Sequence, residues 1–351
     1  MRYSIILPLI ATTVLSAPAI EQRQDATCNL PNPFKFFDGR AVTTRADFAC
    51  KNKEVSAALQ AQELGDFPKK PSTVTASLSG SSLSITSSEG GNIPIPSGVA
   101  TITFNNDDIA QQQSGSSRGK GKFFDLYGSS HSAGALMAWA WGVDRIMDAL
   151  EATSATGIDP KRVGVTGCSR NGKGAFVAAA FVDRIALGIP QESGSGGAAC
   201  WRISDSEKAK GKNIQTSSEI VGENVWFSTR FNSFSTKSNT LATDHHQLAG
   251  MVAPRGLIVI ENEIDWLGPV ATTACMKAAR LIYKSLGAAD NMGFTGSGNH
   301  NHCSFPANQQ ADLTAFINKF LLNQSANTNI EKGPSGADAA TYIDWTAPTL
   351  T

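Results

Sequence analysis

From residue 162 onward, short apolar runs alternate with longer stretches whose apolar positions turn with helical spacing. The runs 162–166, 186–189, 257–261 and 292–295 predict buried strands, and 173–181, 272–286 and 309–322 predict helices between and after them. Upstream, 133–150 carries Trp139, Trp141, Ile146 and Leu150 on turning faces and predicts a long helix, while 101–104 predicts a short strand. Residues 74–88 alternate small, β-branched and polar side chains around Ser79-Gly80-Ser81-Ser82, the pattern of an antiparallel hairpin. Short apolar strands separated by helices make parallel βαβ units with helices on both faces of the sheet. The predicted class is therefore α/β, a three-layer sandwich with a mostly parallel central sheet. No internal repeat or low-complexity linker divides the chain, so residues 20–351 read as a single domain. The polar tail after Asn323 is expected to lie loosely on the surface.

The first residues read as processing. Arg2, an apolar stretch over 5–15 and the small run Ala17-Pro18-Ala19 form a secretory leader over residues 1–19. The stretch is too short to span a bilayer. A secreted, extracellular product without membrane attachment is expected. Export makes the six cysteines, Cys28, Cys50, Cys168, Cys200, Cys275 and Cys303, a disulfide set. Six cysteines admit fifteen full pairings, so the residues alone leave the pairing open. The absence of C-x-x-C argues against zinc or a redox motif. Asn323-Gln324-Ser325 is a glycosylation sequon. The chain balances 30 Lys+Arg against 30 Asp+Glu, which excludes the clustered cations of a nucleic-acid footprint. A hydrophobic content of 41% excludes a disordered chain.

In open α/β sheets, ligands bind beyond the carboxyl ends of the strands. Past the strand at 162–166 comes Gly167-Cys168-Ser169-Arg170-Asn171-Gly172, opening a helix. A serine between glycines on a strand-to-helix turn is the pattern of a nucleophile elbow, here spaced G-x-S-x-x-G, one residue off the common form. The alternative is a structural turn with serine as helix cap. Past the next strands come Glu192, then Glu261, Glu263 and Asp265, then Gly298-Asn299-His300-Asn301-His302-Cys303. Ser, acid, His is the α/β-hydrolase chain order. His300 and His302 both qualify as base, whereas His131, His245 and His246 lie in less suitable contexts. If Cys168 is bonded to Cys303, their Cα atoms lie roughly 5.5 Å apart and Ser169 is drawn towards His302. The acid stays open among Glu192, Glu261, Glu263 and Asp265.

Four motifs, Gly-Cys-Ser-Arg-Asn-Gly-Lys-Gly-Ala (167–175), Pro-Gln-Glu-Ser-Gly (190–194), Asn-Asp-Asp-Ile-Ala (106–110) and Gly-Asn-His-Asn-His-Cys (298–303), resemble those of the fungal glucuronoyl esterases of carbohydrate esterase family fifteen. The resemblance runs from about residue 28 to 330. It implies an α/β-hydrolase fold and cleavage of esters between 4-O-methyl-glucuronic acid on xylan and lignin alcohols. It makes Ser169 the nucleophile, His302 the base and Glu192 the acid, with Asp265 in reserve, and gives Arg170 the oxyanion. Lys173, Gln215, Glu223 and Trp266 match positions that hold the sugar. The implied disulfides are Cys28–Cys50, Cys168–Cys303 and Cys200–Cys275. Neither metal nor organic cofactor is expected, and the implied enzyme acts as a monomer without a carbohydrate-binding module.

The chain departs from the family in one place. Relatives carry two further strands, one of them central, where Gly91 here runs directly through Asn92 into Ile93. Losing a central strand leaves buried hydrogen-bonding groups unmet at ~1–3 kcal/mol each. Two other readings stand beside the family one. A different carboxylic ester (acetyl, feruloyl or cutin) would not need the polar set Lys173, Gln215 and Glu223. An inactive, truncated paralogue would keep every triad candidate and lack turnover.

Overall fold

The computed structural model describes residues 29–72, 74, 93–296 and 298–351. The expected leader, Cys28 and, apart from Val74, the expected hairpin with the Gly91–Asn92 junction lie outside them.

Helix α1 (Arg45–Leu59) starts where Thr44 and Asp47 cap each other. The Asp47 N–H donates to Thr44 Oγ1 at 3.0 Å, and the Thr44 N–H donates to the Asp47 carboxylate at 3.0 Å. This reciprocal box satisfies amides that the first turn leaves without helical partners. Helix α2 (Ala135–Ala152) is apolar and buried all round over its first nine residues, with Leu136, Met137 and Trp139 inside, and buries Met147 and Leu150 farther on. The alternation follows: β1 (Gly164–Cys168), α3 (Arg170–Phe181), β2 (Leu187–Gln191), α4 (Trp201–Ala209), α5 (Ser217–Glu223), α6 (His245–Val252), β3 (Gly256–Glu261), α7 (Pro269–Ser285), β4 (Met292–Gly296), α8 (Gln310–Phe320) and β5 (Glu331–Lys332).

The strands form one sheet in the order β1-β2-β3-β4-β5, every pair parallel. Alternate residues of β3 serve opposite layers. Leu257 and Val259 join the core under α2, α3, α6 and α7, whereas Ile258 and Ile260 meet Leu313, Phe316 and Ile317 of α8. Burial of both faces is why these strands read as continuous apolar runs.

Two sequence expectations fail. Residues 101–104 form no strand; Ile102 and Phe104 face an apolar cavity instead. The tail is not loose. Glu331 and Lys332 pair with β4, and Tyr342, Trp345 and Leu350 are buried. Trp345 Nε1 donates to the Leu30 carbonyl at 3.0 Å, and its ring meets Phe34 edge-on at 5.8 Å. A polar average hides these few apolar anchors, each of which buries a large side chain.

Among the described residues β1 pairs on one side only, with β2. Its other edge borders a cavity of about 590 Å³ lined by Ile102, Phe104, Val143, Ile146, Val165 and Leu321. The cavity lies between the α2 and α8 layers, the place where a further strand beside β1 would run.

Candidate active site

The sheet register lays out the site. Cys168 is level with Gln191, and Gln191 with Ile260, while Glu261 is level with Gly296. Ser169, Glu192 and the loop to His302 therefore all leave the carboxyl edge of the sheet, where α/β folds place ligands.

Ser169 sits between β1 and α3 with φ 58° and ψ −127°, a conformation costly for a side-chain-bearing residue. Glycine makes the turn fit. A Cβ on Gly172 would come within 2.4 Å of the Gln191 carbonyl oxygen, so only glycine lets the start of α3 lie against β2. The Ser169 N–H donates to that same carbonyl at 3.0 Å. The G-x-S-x-x-G spacing thus records a backbone contact rather than a substrate contact. The Arg170 amide opens α3, at the positive end of the helix dipole, where a developing oxyanion is stabilised.

His302 Nδ1 lies 2.7 Å from Glu192 Oε2. The Cys303 N–H donates to the same oxygen at 2.9 Å, Asn262 Nδ2 to it at 3.3 Å, and Gln191 Nε2 to Oε1 at 3.2 Å. Burial raises the Glu192 carboxyl, but the His302 ring and the Cys303 amide outweigh it and hold the group below its ordinary value. Glu192 is thus an anionic carboxylate facing an imidazole. His300 stands farther off, its Nε2 3.9 Å from Glu192 Oε1. The reserve acid Asp265 lies exposed at the start of a 3₁₀ turn, and Glu192 occupies the His302 Nδ1. Sequence reasoning missed Asn262 and the Cys303 amide. A neutral asparagine between Glu261 and Glu263 carries no charge signal, and a backbone N–H carries none at all.

Cys168–Cys303 and Cys200–Cys275 are bonded, with Cα separations of 5.7 and 5.4 Å. The third implied pairing falls outside the described residues at Cys28; Cys50 is exposed.

Three of the residues expected to hold the sugar, Trp266, Gln215 and Glu223, form one connected group. The Trp266 ring, 37% exposed, and the His302 ring meet in a T-shaped pair with their centroids 4.8 Å apart. The Trp266 carbonyl accepts from the Gln215 N–H at 3.2 Å, and the Gln215 side chain donates to Glu223. The Glu223 charge acts in turn on Arg170 and Lys173. Lys173 is turned into the protein, where its Nζ donates to the Ser193 carbonyl at 2.5 Å and the Ser195 carbonyl at 2.7 Å. Burial pushes its ammonium down to about 8, against the pull of Glu261 and Glu223. Two of its three N–H bonds are spent on the backbone, which leaves one for the sugar oxygens expected of it.

A serine on a strained elbow, with an imidazole backed by a buried carboxylate across the same sheet edge, is the architecture of an α/β-hydrolase serine esterase. The chain belongs to the glucuronoyl esterases: the model of the fungal glucuronyl esterase family matches residues 66–287. It is 55% identical over 355 residues to the 4-O-methyl-glucuronoyl methylesterase of Neurospora crassa, covering 93% of this chain and 90% of that one. It is 49% identical over 389 positions to the 4-O-methyl-glucuronoyl methylesterase of Thermothelomyces thermophilus, covering 97% and 98%. Those 389 positions exceed the 351 residues present here, so that relative carries residues this chain lacks. The glucuronoyl esterase catalytic domain from Hypocrea jecorina superposes with a TM-score of 0.92 at 50% identity, covering 96% of this chain and 100% of that one. A serine-to-alanine mutant of the Sporotrichum thermophile glucuronoyl esterase, solved with methyl 4-O-methyl-β-D-glucopyranuronate, superposes at 0.89 with 50% identity, covering 93% and 96%.

Proposed function

We propose that this protein is a secreted esterase that hydrolyses the ester between 4-O-methyl-glucuronic acid of glucuronoxylan and lignin alcohols. One observation carries the choice of substrate. Trp266 touches the His302 imidazole with its ring and, through its carbonyl, holds Gln215 and with it Glu223. An acetyl or feruloyl pocket has no use for this polar set against the base, whereas a pyranose ring stacks on the indole and hydrogen-bonds to the amide and carboxylate.

Ser169 Oγ attacks the ester carbonyl carbon as His302 takes its proton, and the Arg170 N–H stabilises the oxyanion. Collapse breaks the bond to the alcohol oxygen, which leaves with the His302 proton. Water, deprotonated by His302, then releases the glucuronic acid and restores the serine. Glu192 holds the ring and stabilises its protonated form throughout.

Two disulfides suit an oxidising compartment, and among the described residues no helix is long and apolar enough to cross a membrane. We take residues 1–19 as the leader, 20–351 as one catalytic unit working as a monomer, and exposed Asn323 as a glycan acceptor. The substrate reading is tested on a panel of benzyl glucuronate, acetyl and feruloyl esters. Strong preference for the glucuronate is expected, and comparable rates on all three refute it. The one-sided pairing of β1 and the cavity along it favour a second reading, a folded family member without turnover.

A further inference from the structure

Glu261 ends β3, one strand over from Glu192, yet its carboxyl does not face the imidazole. Oε1 accepts from the backbone N–H groups of Ser193 at 3.1 Å and Gly194 at 3.3 Å, and from the Ser193 hydroxyl at 3.4 Å. These amides directly follow Glu192, whose own backbone is left-handed at φ 44°. Such a residue persists only where its surroundings over-determine it. From the other side Lys173 holds the carbonyls of Ser193 and Ser195. The loop is bracketed, its amides by a glutamate and its carbonyls by a lysine.

We infer that Glu261 is a positioning residue for the triad: by holding the Ser193 and Gly194 amides it fixes the left-handed turn at Glu192 and keeps that carboxylate on His302. The inference rests on the Ser169–His302–Glu192 reading above. Its protonation state fits the role. Burial pushes the Glu261 carboxyl up to about 8; the Gly194 amide opposes this, Glu192 reinforces it and Lys173 opposes it. At neutral pH it is an uncharged acceptor, so it steadies the loop without competing with Glu192 for the imidazolium. Glu192 at the end of β2 and Lys173 on α3 face it, and Glu263 and Lys332 line the small cavity around it with Thr272 and Thr295. Glutamine reproduces this acceptor; methionine fills the space without it.

The test compares Glu261→Gln and Glu261→Met in the wild type and in a Glu192→Gln background. Two rates are read, hydrolysis of benzyl methyl-glucuronate and labelling of Ser169 by a fluorophosphonate. At pH 6 the glutamine variant is expected to keep kcat within about threefold, and the methionine variant to lose roughly 10- to 100-fold in kcat with KM nearly unchanged. In the Glu192→Gln background the methionine loss should shrink to about twofold, because the two residues act as one unit. A glutamine variant as impaired as the methionine variant overturns the inference, and so does an equal loss in both backgrounds. Should the methionine variant not fold, the glutamine variant decides alone, since loss of its kcat contradicts a neutral acceptor role. A wild type that hydrolyses no glucuronate ester refutes the substrate reading, and the labelling rates then test the positioning by the same comparison.

Discussion

The Cys168–Cys303 disulfide joins the residue before Ser169 to the residue after His302, with their Cα atoms 5.7 Å apart. The two loops leave β1 and β4, which stand three places apart in the sheet. At about 4.8 Å per strand, the His302 loop must return roughly 14 Å across the ends of β2 and β3. The Glu192 carboxylate, just past β2, receives it on the way, through His302 Nδ1 and the Cys303 N–H. A covalent bond and one carboxylate thus set the position of the His302 ring.

Replacing both Cys168 and Cys303 by alanine opens a loop of 135 residues. A destabilisation of about 2–5 kcal/mol is expected, with a fall in kcat larger than any change in KM. Thermal unfolding and steady-state hydrolysis measure the two effects. Unchanged kcat in the double variant contradicts the role given to the bond.

Glu192→Gln keeps the shape of the acid and removes its charge. Its kcat should fall by roughly 10³–10⁴-fold, as when a triad carboxylate becomes an amide. The sign of its pH effect follows from its depressed value: Glu192 contributes stability above the ordinary carboxylate value of 4.5 and loses it as pH falls through its lower folded value. Melting midpoints below pH 4.5 should therefore drop less steeply in Glu192→Gln than in the wild type. Parallel curves would place the acid-sensitive group elsewhere.

Glu261 has the opposite sign. Its folded value is raised from 4.5 to about 8, so its contribution is fully present below pH 4.5 and is lost as pH rises towards 8. Up to about pH 7 Lys173 stays largely protonated in both states, because its own folded value is about 8. Relative to Glu261→Gln, the wild type should lose melting temperature between pH 5 and 7. A constant difference between the two would mean that Glu261 does not titrate there.

Trp266→Ala removes the indole from the His302 ring and from the expected pyranose face. A loss of about 1 kcal/mol, roughly fivefold in KM, is expected for the glucuronate ester. A simple acetyl ester should show no such rise. Equal effects on both esters would make Trp266 a support for His302 alone.

Much of this was legible in the chain. The βαβ run from 162 onward appears because strands buried on both faces must be apolar throughout, as Ile258 and Val259 are on opposite faces of β3. Ser169 and His302 could be read because turn glycines and a cysteine adjoin them. The tail could not, since Tyr342 and Trp345 anchor a stretch whose average is polar. Helix α6 was equally hidden: the buried His245, held by Glu63 at 2.7 Å, stands where a helix normally turns an apolar face inward. The work of Glu261 was not legible either, because its partners are backbone amides that no side-chain pattern announces.

The most direct measurement is hydrolysis of benzyl methyl-glucuronate by the secreted, purified protein beside its Ser169→Ala variant. The account predicts release of benzyl alcohol by the wild type and none by the variant. A cooperatively melting wild type that releases nothing, or release that survives Ser169→Ala, would contradict it.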